Sequence, residues 1–192
     1  MFKLKLATDP RWVNIAEENI EEILIDHAYC EQKAASNAIS LIILYPEFSD
    51  LVESMIEIAQ EEMAHFKMVH QLLLQRGMKL GKSRKDEYVN LLLEFMRKGA
   101  NLNQIMVDRL LFAAMIEARS CERFRILSEK LTDNFLAGFY RDLMISEANH
   151  YTTFINFARK YGKEDVDQRW EEILQYEAEI MKRFSVKETI HG

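Results

Sequence analysis

The chain has 192 residues, 48% of them hydrophobic and 29% charged, with a formal net charge of −6. That balance excludes a disordered chain and a protein that coats nucleic acid through overall positive charge, and the length suits one domain with a core that needs no disulfides. Only six Gly and two Pro interrupt it, and Leu, Ile, Met, Ala, Glu and Lys dominate while Val is scarce, so long helices are expected. No run of about 18 apolar residues occurs, so no membrane partner is expected. The opening Met1-Phe2-Lys3-Leu4-Lys5-Leu6 lacks the apolar stretch of a secretory leader, and Cys30 and Cys121 read as thiols of a cytoplasmic protein.

Asp9-Pro10 followed by Trp12 opens the first helix, whose apolar positions (Ile15, Ile20, Ile23, Leu24, Ala28, Ala35, Ala38, Leu41) carry it to about Tyr45, before Pro46. Ser49 and Asp50 are the expected caps of a second helix that stops at Gly77. Residues 78–99 form a connection with a short helix around 86–98. A third helix spans roughly 101–131, and Thr132-Asp133-Asn134 make a turn and a cap. A fourth runs to about 160 before Gly162, and a fifth covers about 165–184 with Asp165 as its cap. The order is hairpin, connection, hairpin, extra helix. The expectation is a single all-α domain over residues 1–192, a ferritin-like four-helix bundle with extra helices in the connection and at the C-terminus.

Two segments carry chemistry. Glu62-Met63-Ala64-His65 lies in the second helix and Glu147-Ala148-Asn149-His150 in the fourth. Residues three apart share a helix face, so each pair brings a carboxylate and an imidazole to one place. One Glu-x-x-His is weak, but one near the middle of the second helix of each hairpin is the pattern of carboxylate-bridged dimetal bundles, which take one more Glu from each of the other two helices. Hairpin geometry locates those. Glu62 lies about 15 residues after the first turn and Glu31 about 15 before it; Glu147 and Glu117 stand likewise about the second turn. Glu122, which shares a Cys-Glu pair with Glu31, lies five residues along, about 7.5 Å off level, and is rejected. The six expected ligands are Glu31, Glu62, His65, Glu117, Glu147 and His150. Two histidines and four carboxylates suit iron or manganese better than zinc or copper, and point to oxygen or peroxide activation. Their apolar surroundings, such as Ala113, Ala114 and Ala118 about Glu117, give a reason for metal, because a buried carboxylate without a partner is costly.

The neighbours of these residues have plainer readings. His27, one turn before Glu31, reads first as a core or rim histidine and second as a support for the ligand. His70 and His191 read as surface residues. Tyr29 and Tyr151 read first as buried tyrosines with a hydrogen-bond partner. The small residues Ala34, Ala38, Ala59, Ala113 and Ala114 are compatible with a pocket for an apolar group as well as with close helix packing.

Three stretches resemble the tRNA 2-methylthio-N6-isopentenyladenosine hydroxylases, the MiaE family: Ile25 to Ser36 (IDHAYCEQKAAS), Ile116 to Phe124 (IEARSCERF) and Ser146 to Tyr151 (SEANHY). The resemblance runs over about residues 10–185, and Glu-Ala-Arg-Ser-Cys-Glu-Arg-Phe is its more specific part. Asn149 departs from it, where a basic residue is expected. The resemblance implies a nonheme diiron monooxygenase that uses O2 and two electrons from a separate electron donor, and that hydroxylates the isopentenyl group on the modified adenosine beside a tRNA anticodon. The implied iron positions are the six already derived. The tRNA is expected to meet a basic cluster, Arg76, Lys79, Lys82, Arg84 and Lys85, with Arg119 and Arg123 as further candidates for RNA contact or for orienting ligands. The rival readings are an iron-storage ferritin, a rubrerythrin-like peroxidase and a purely structural bundle.

Overall fold

The computed structural model describes residues 2–183 and Ile190; the expected end of the last helix at 184 and His191 lie outside the described residues. Seven helices and no strand are found among them: α1 Trp12–Glu18, α2 Ile20–Leu44, α3 Ser49–Gln75, α4 Glu87–Glu94, α5 Leu102–Lys130, α6 Asn134–Tyr161 and α7 Val166–Arg183. The class is all-α, as expected. Among the described residues no helix is long and apolar enough to cross a membrane.

The chain divides into two compact units. One comprises residues 15–85 with Ile190, the other residues 2–14 with 86–183. The first is the α2–α3 hairpin, closed by the turn at Pro46; Leu24, Ala28, Ala38 and Leu41 of α2 and Leu51, Met55, Val69 and Leu73 of α3 are all buried. In the second, α5 packs on α6 across the turn at Leu131–Asp133, and α4 and α7 pack with this hairpin. Its core includes Leu110, Leu111, Ala114, Ala118, Phe124, Tyr140, Phe154, Ile173 and Leu174.

Three boundaries differ from the sequence expectation. The first helix is two, because Asn19 leaves helical geometry (φ −128°, ψ 42°) and its own amide group donates to the Ile15 carbonyl at 2.9 Å. Phe48, not Ser49 or Asp50, is the N-cap of α3, and no side chain caps it; Asp50 instead lies in the first turn, where a negative charge suits the helix dipole. The connecting helix stops at Glu94, not 98, since the Arg97 amide donates at 2.9 Å to Asp108 and not to a helical carbonyl. Elsewhere the capping signals hold. Gly77 (φ +72°) ends α3 in a Schellman arrangement, with Gly77 N–H on the Leu74 carbonyl and Met78 N–H on that of Leu73. Asn101 and Gln104 form a capping box on α5, and Asp133 caps α6 through Phe135 and Leu136 N–H.

A buried charge knot fixes the second unit. Asp108, fully buried on α5, accepts from Arg169 Nε at 2.9 Å and Nη2 at 3.1 Å, and from Arg97 Nη2 at 2.7 Å. Arg97 also grips Glu164 with two bonds of 2.6 and 2.7 Å. Burial pushes the Asp108 carboxyl up, but the hydrogen bonds from Arg169 and Arg97 outweigh it and hold the group below its ordinary value. Such a group stabilises the fold above the ordinary carboxylate range, and its contribution is lost as pH falls through the lowered value. Removing one partner of a buried ion pair costs about 3–5 kcal/mol, so Asp108→Ala should lower the unfolding free energy in urea by that amount. The stability gap between wild type and Asp108→Asn should be widest at neutral pH and narrow on acidification.

Candidate metal centre

Each unit brings three of the six expected ligands together by itself. In the α2–α3 unit, Glu31, Glu62 and His65 are buried, and each offers a ligand atom within 4.8 Å of the others. His65 Nδ1 lies 3.3 Å from Glu62 Oε2, the partner three residues earlier, and 3.7 Å from Glu31 Oε2 across the hairpin. The equal count of residues about the turn at Pro46 therefore does place Glu31 level with Glu62 and His65. In the other unit, Glu117, Glu147 and His150 are buried, with ligand atoms again within 4.8 Å of one another. His150 Nδ1 stands 3.8 Å from Glu147 Oε2, too far for a hydrogen bond. The two triads have the same composition: one carboxylate from the first helix of a hairpin, and a carboxylate and an imidazole three residues apart from the second.

His27 adds a fourth member to the first triad. It is fully buried, and its Nε2 lies 2.5 Å from Glu31 Oε1. An ionised carboxylate only accepts, so the ring donates. That bond holds Glu31 by one oxygen while the other, Oε2, is the atom nearer His65. The sequence suggested this role for His27 as its second reading, one turn from Glu31.

The remaining candidates fall in different places. Arg119 and Arg123 are buried. Arg119 donates to Glu177 Oε1 at 2.6 Å, to the Leu6 carbonyl at 3.1 Å, and to Glu122 Oε2. Glu122 also takes Thr8 N–H at 3.0 Å and Thr8 Oγ1 at 2.7 Å, which accounts for a buried carboxylate that is not one of the six. Arg123 stacks over Trp12, 4.5 Å from the ring centroid. The Arg119–Glu122–Glu177 network was missed in the sequence, though charged residues in the apolar stretch of α5 were its signal. Of the basic cluster, Arg76 ends α3 and is half-buried; Lys79, Lys82, Arg84 and Lys85 are exposed. Tyr29 donates to the Gly81 carbonyl at 3.0 Å, and the Tyr151 ring lies against Phe2 and Trp170. Both cysteines are buried, and burial, with the charge of Glu147, pushes the Cys121 thiol up to about 12.

Paired carboxylates and an imidazole, buried and repeated in two helical hairpins, define a ferritin-like carboxylate–histidine protein with a candidate metal site. The chain belongs to the MiaE family: the model described as tRNA-(MS[2]IO[6]A)-hydroxylase (MiaE) matches residues 2–192. It is 40% identical over 161 residues to the tRNA 2-(methylsulfanyl)-N(6)-isopentenyladenosine(37) hydroxylase of Pseudomonas putida, covering 84% of this chain and 77% of that one. The protein of the same description from Salmonella typhimurium is 27% identical, over 93% of this chain and 83% of its own. A solved structure, Protein 43 with aldehyde deformylating oxygenase activity from Synechococcus, has the same fold, with a TM-score of 0.91 at 33% identity over 98% of this chain and 95% of that one.

Partners that orient a metal ligand typically contribute about 10–100-fold in metal affinity. His27→Ala should weaken ferrous-ion binding by that order in an anaerobic titration. His27→Gln, whose amide keeps a donor, should recover most of it.

Proposed function

We propose that this chain is an O2-dependent diiron monooxygenase that hydroxylates the isopentenyl group of 2-methylthio-N6-isopentenyladenosine at position 37 of tRNA. The observation that carries the reading is a Glu-Glu-His triad in each unit of a chain that the MiaE model matches from residue 2 to 192. The unbroken match also supports one working domain in place of two independent ones. The setting is cytoplasmic, where tRNA is found.

Glu31, Glu62 and His65 with Glu117, Glu147 and His150 would hold the two iron ions. The donor set fits: each unit supplies two buried carboxylates and one buried imidazole, a mixed oxygen–nitrogen set that suits iron. A bound iron pair supplies the activation of O2 for insertion into a C–H bond. The protein's own residues do the rest. Each of the six is buried, which would limit bulk water at a bound metal, and the hydrogen bond from His27 fixes which oxygen of Glu31 is presented. One oxygen atom enters the C–H bond and the other leaves as water, so a separate reductant must deliver two electrons, with two protons.

The test uses iron-loaded, reduced protein, oxygen and prenylated, methylthiolated tRNA, followed by digestion and weighing of the nucleoside. The expected result is a gain of one oxygen atom. Glu117→Ala and Glu62→Ala should lose bound iron and the mass gain while keeping their helical circular dichroism. A long-chain aldehyde assayed in parallel covers the activity named for the Synechococcus protein. Consumption of aldehyde with no change in the tRNA would overturn the reading.

A further inference from the structure

The segment joining α3 to α4 is the most basic stretch of an acidic chain. Residues 76–85 hold five Lys or Arg and no acid, against a net charge of −6 overall. From Met78 to Asp86 it has no helix or strand. Such a loop is ordinarily a loose solvated connection, but this one is fastened to α2 at three successive points. The Tyr29 hydroxyl donates to the Gly81 carbonyl at 3.0 Å. A Cβ placed on Gly81, whose φ is +64°, would meet Ile25 Cδ1 at 3.4 Å, so the strap runs close against that side chain. Arg84 pairs with Glu22 Oε2 at 3.2 Å and donates to the Glu22 carbonyl at 3.3 Å. Glu22, Ile25 and Tyr29 are spaced three and four apart, one stripe of the helix. Later strap residues meet earlier helix residues, so the strap runs antiparallel to α2 along about two turns, starting beside the turn that carries Glu31.

The basic residues divide by what they do. Arg84 is spent on Glu22, and Arg76 is half-buried at the end of α3. Lys79, Lys82 and Lys85 are exposed and make no ion pair among the described residues. They recur every third residue of an irregular segment, roughly 10 Å apart along the chain at most. Three exposed lysines on one fastened segment, with no acid between them, are a surface for a polyanion.

We propose that Lys79, Lys82 and Lys85 bind the phosphate backbone of the RNA substrate, and that Tyr29 is a positioning residue that locks this strap to α2. This rests on the tRNA reading above and deepens it. The lysines supply affinity without reading sequence. The Tyr29–Gly81 bond ties the place where the backbone is gripped to the helix that bears Glu31.

The test measures tRNA binding to the iron-loaded protein by fluorescence anisotropy between 50 and 300 mM salt. Each lost phosphate contact on a single-stranded loop removes about 0.7 from the slope of log affinity against log salt. The Lys79→Ala/Lys82→Ala/Lys85→Ala variant should therefore lose about 2 from the slope and bind at least about tenfold more weakly at low salt. Lys98→Ala/Lys130→Ala/Lys163→Ala, on exposed lysines elsewhere, should leave the slope unchanged. Tyr29→Phe keeps all three charges, so it should keep the slope while raising KM for tRNA severalfold with little change in kcat. The free modified nucleoside has no phosphate chain, and the triple strap variant should turn it over as wild type does. An unchanged slope in that variant, with wild type still hydroxylating tRNA, overturns the strap and spares the hydroxylase reading. Wild type that hydroxylates neither tRNA nor nucleoside overturns the reading itself. Loss of affinity for anionic phospholipid vesicles but not for tRNA would overturn RNA as the occupant in favour of a membrane surface.

Discussion

A carboxylate taken out of water must be met by positive charge, and much of this protein is organised around meeting that demand in two ways. Asp108, Glu122 and Glu177 are met by arginine: Arg97 and Arg169 for the first, Arg119 for the other two. Glu31, Glu62, Glu117 and Glu147 are grouped instead with imidazoles. An arginine fork closes a site by filling it. A carboxylate–imidazole group keeps its lone pairs directed at a shared point, which is what a metal ion requires. The same α5 uses both solutions within five residues, with Glu117 in a triad and Glu122 under Arg119, so neighbouring acids in one helix serve unlike ends.

The arginine set also explains why α7 and the N-terminal segment are present. Arg119 reaches Glu177 on α7 and the Leu6 carbonyl, while Glu122 takes both the backbone and the side chain of Thr8. Burial pushes the Glu177 carboxyl up, against the pull of Arg119. Asp108 and Arg169 join α5 to α7 a few turns away. The helix that carries Glu117 is thus held at two levels by charge as well as by its apolar core, and Glu117 inherits that rigidity.

Much of this was legible in the residues because antiparallel hairpins obey simple arithmetic. Equal distance from a turn placed Glu31 with Glu62 and Glu117 with Glu147, and the same count set Glu122 aside. Caps whose signal is a single residue type, such as Asp133 and Gly77, were also readable. What escaped notice depended on contacts distant in sequence. Asn19 breaks the first helix through its own amide group, a competition that periodicity does not register. Arg97 ends α4 by giving its amide to Asp108, eleven residues on. The fastening of the basic strap to Tyr29 and Glu22 spans more than fifty residues, and no local pattern announces it.

The state of Cys121 has a further consequence. The thiol lies four residues beyond Glu117, one helical turn away, and is pushed up to about 12 by burial. It donates to the Met144 carbonyl at 3.3 Å. Oxidants attack the thiolate, and at physiological pH this sulfur is almost wholly protonated and shielded from solvent. A protein whose chemistry generates oxidising power must survive many turnovers without consuming its own sulfur. Here burial makes this cysteine a packing residue, kept as the less reactive thiol in the core of α5.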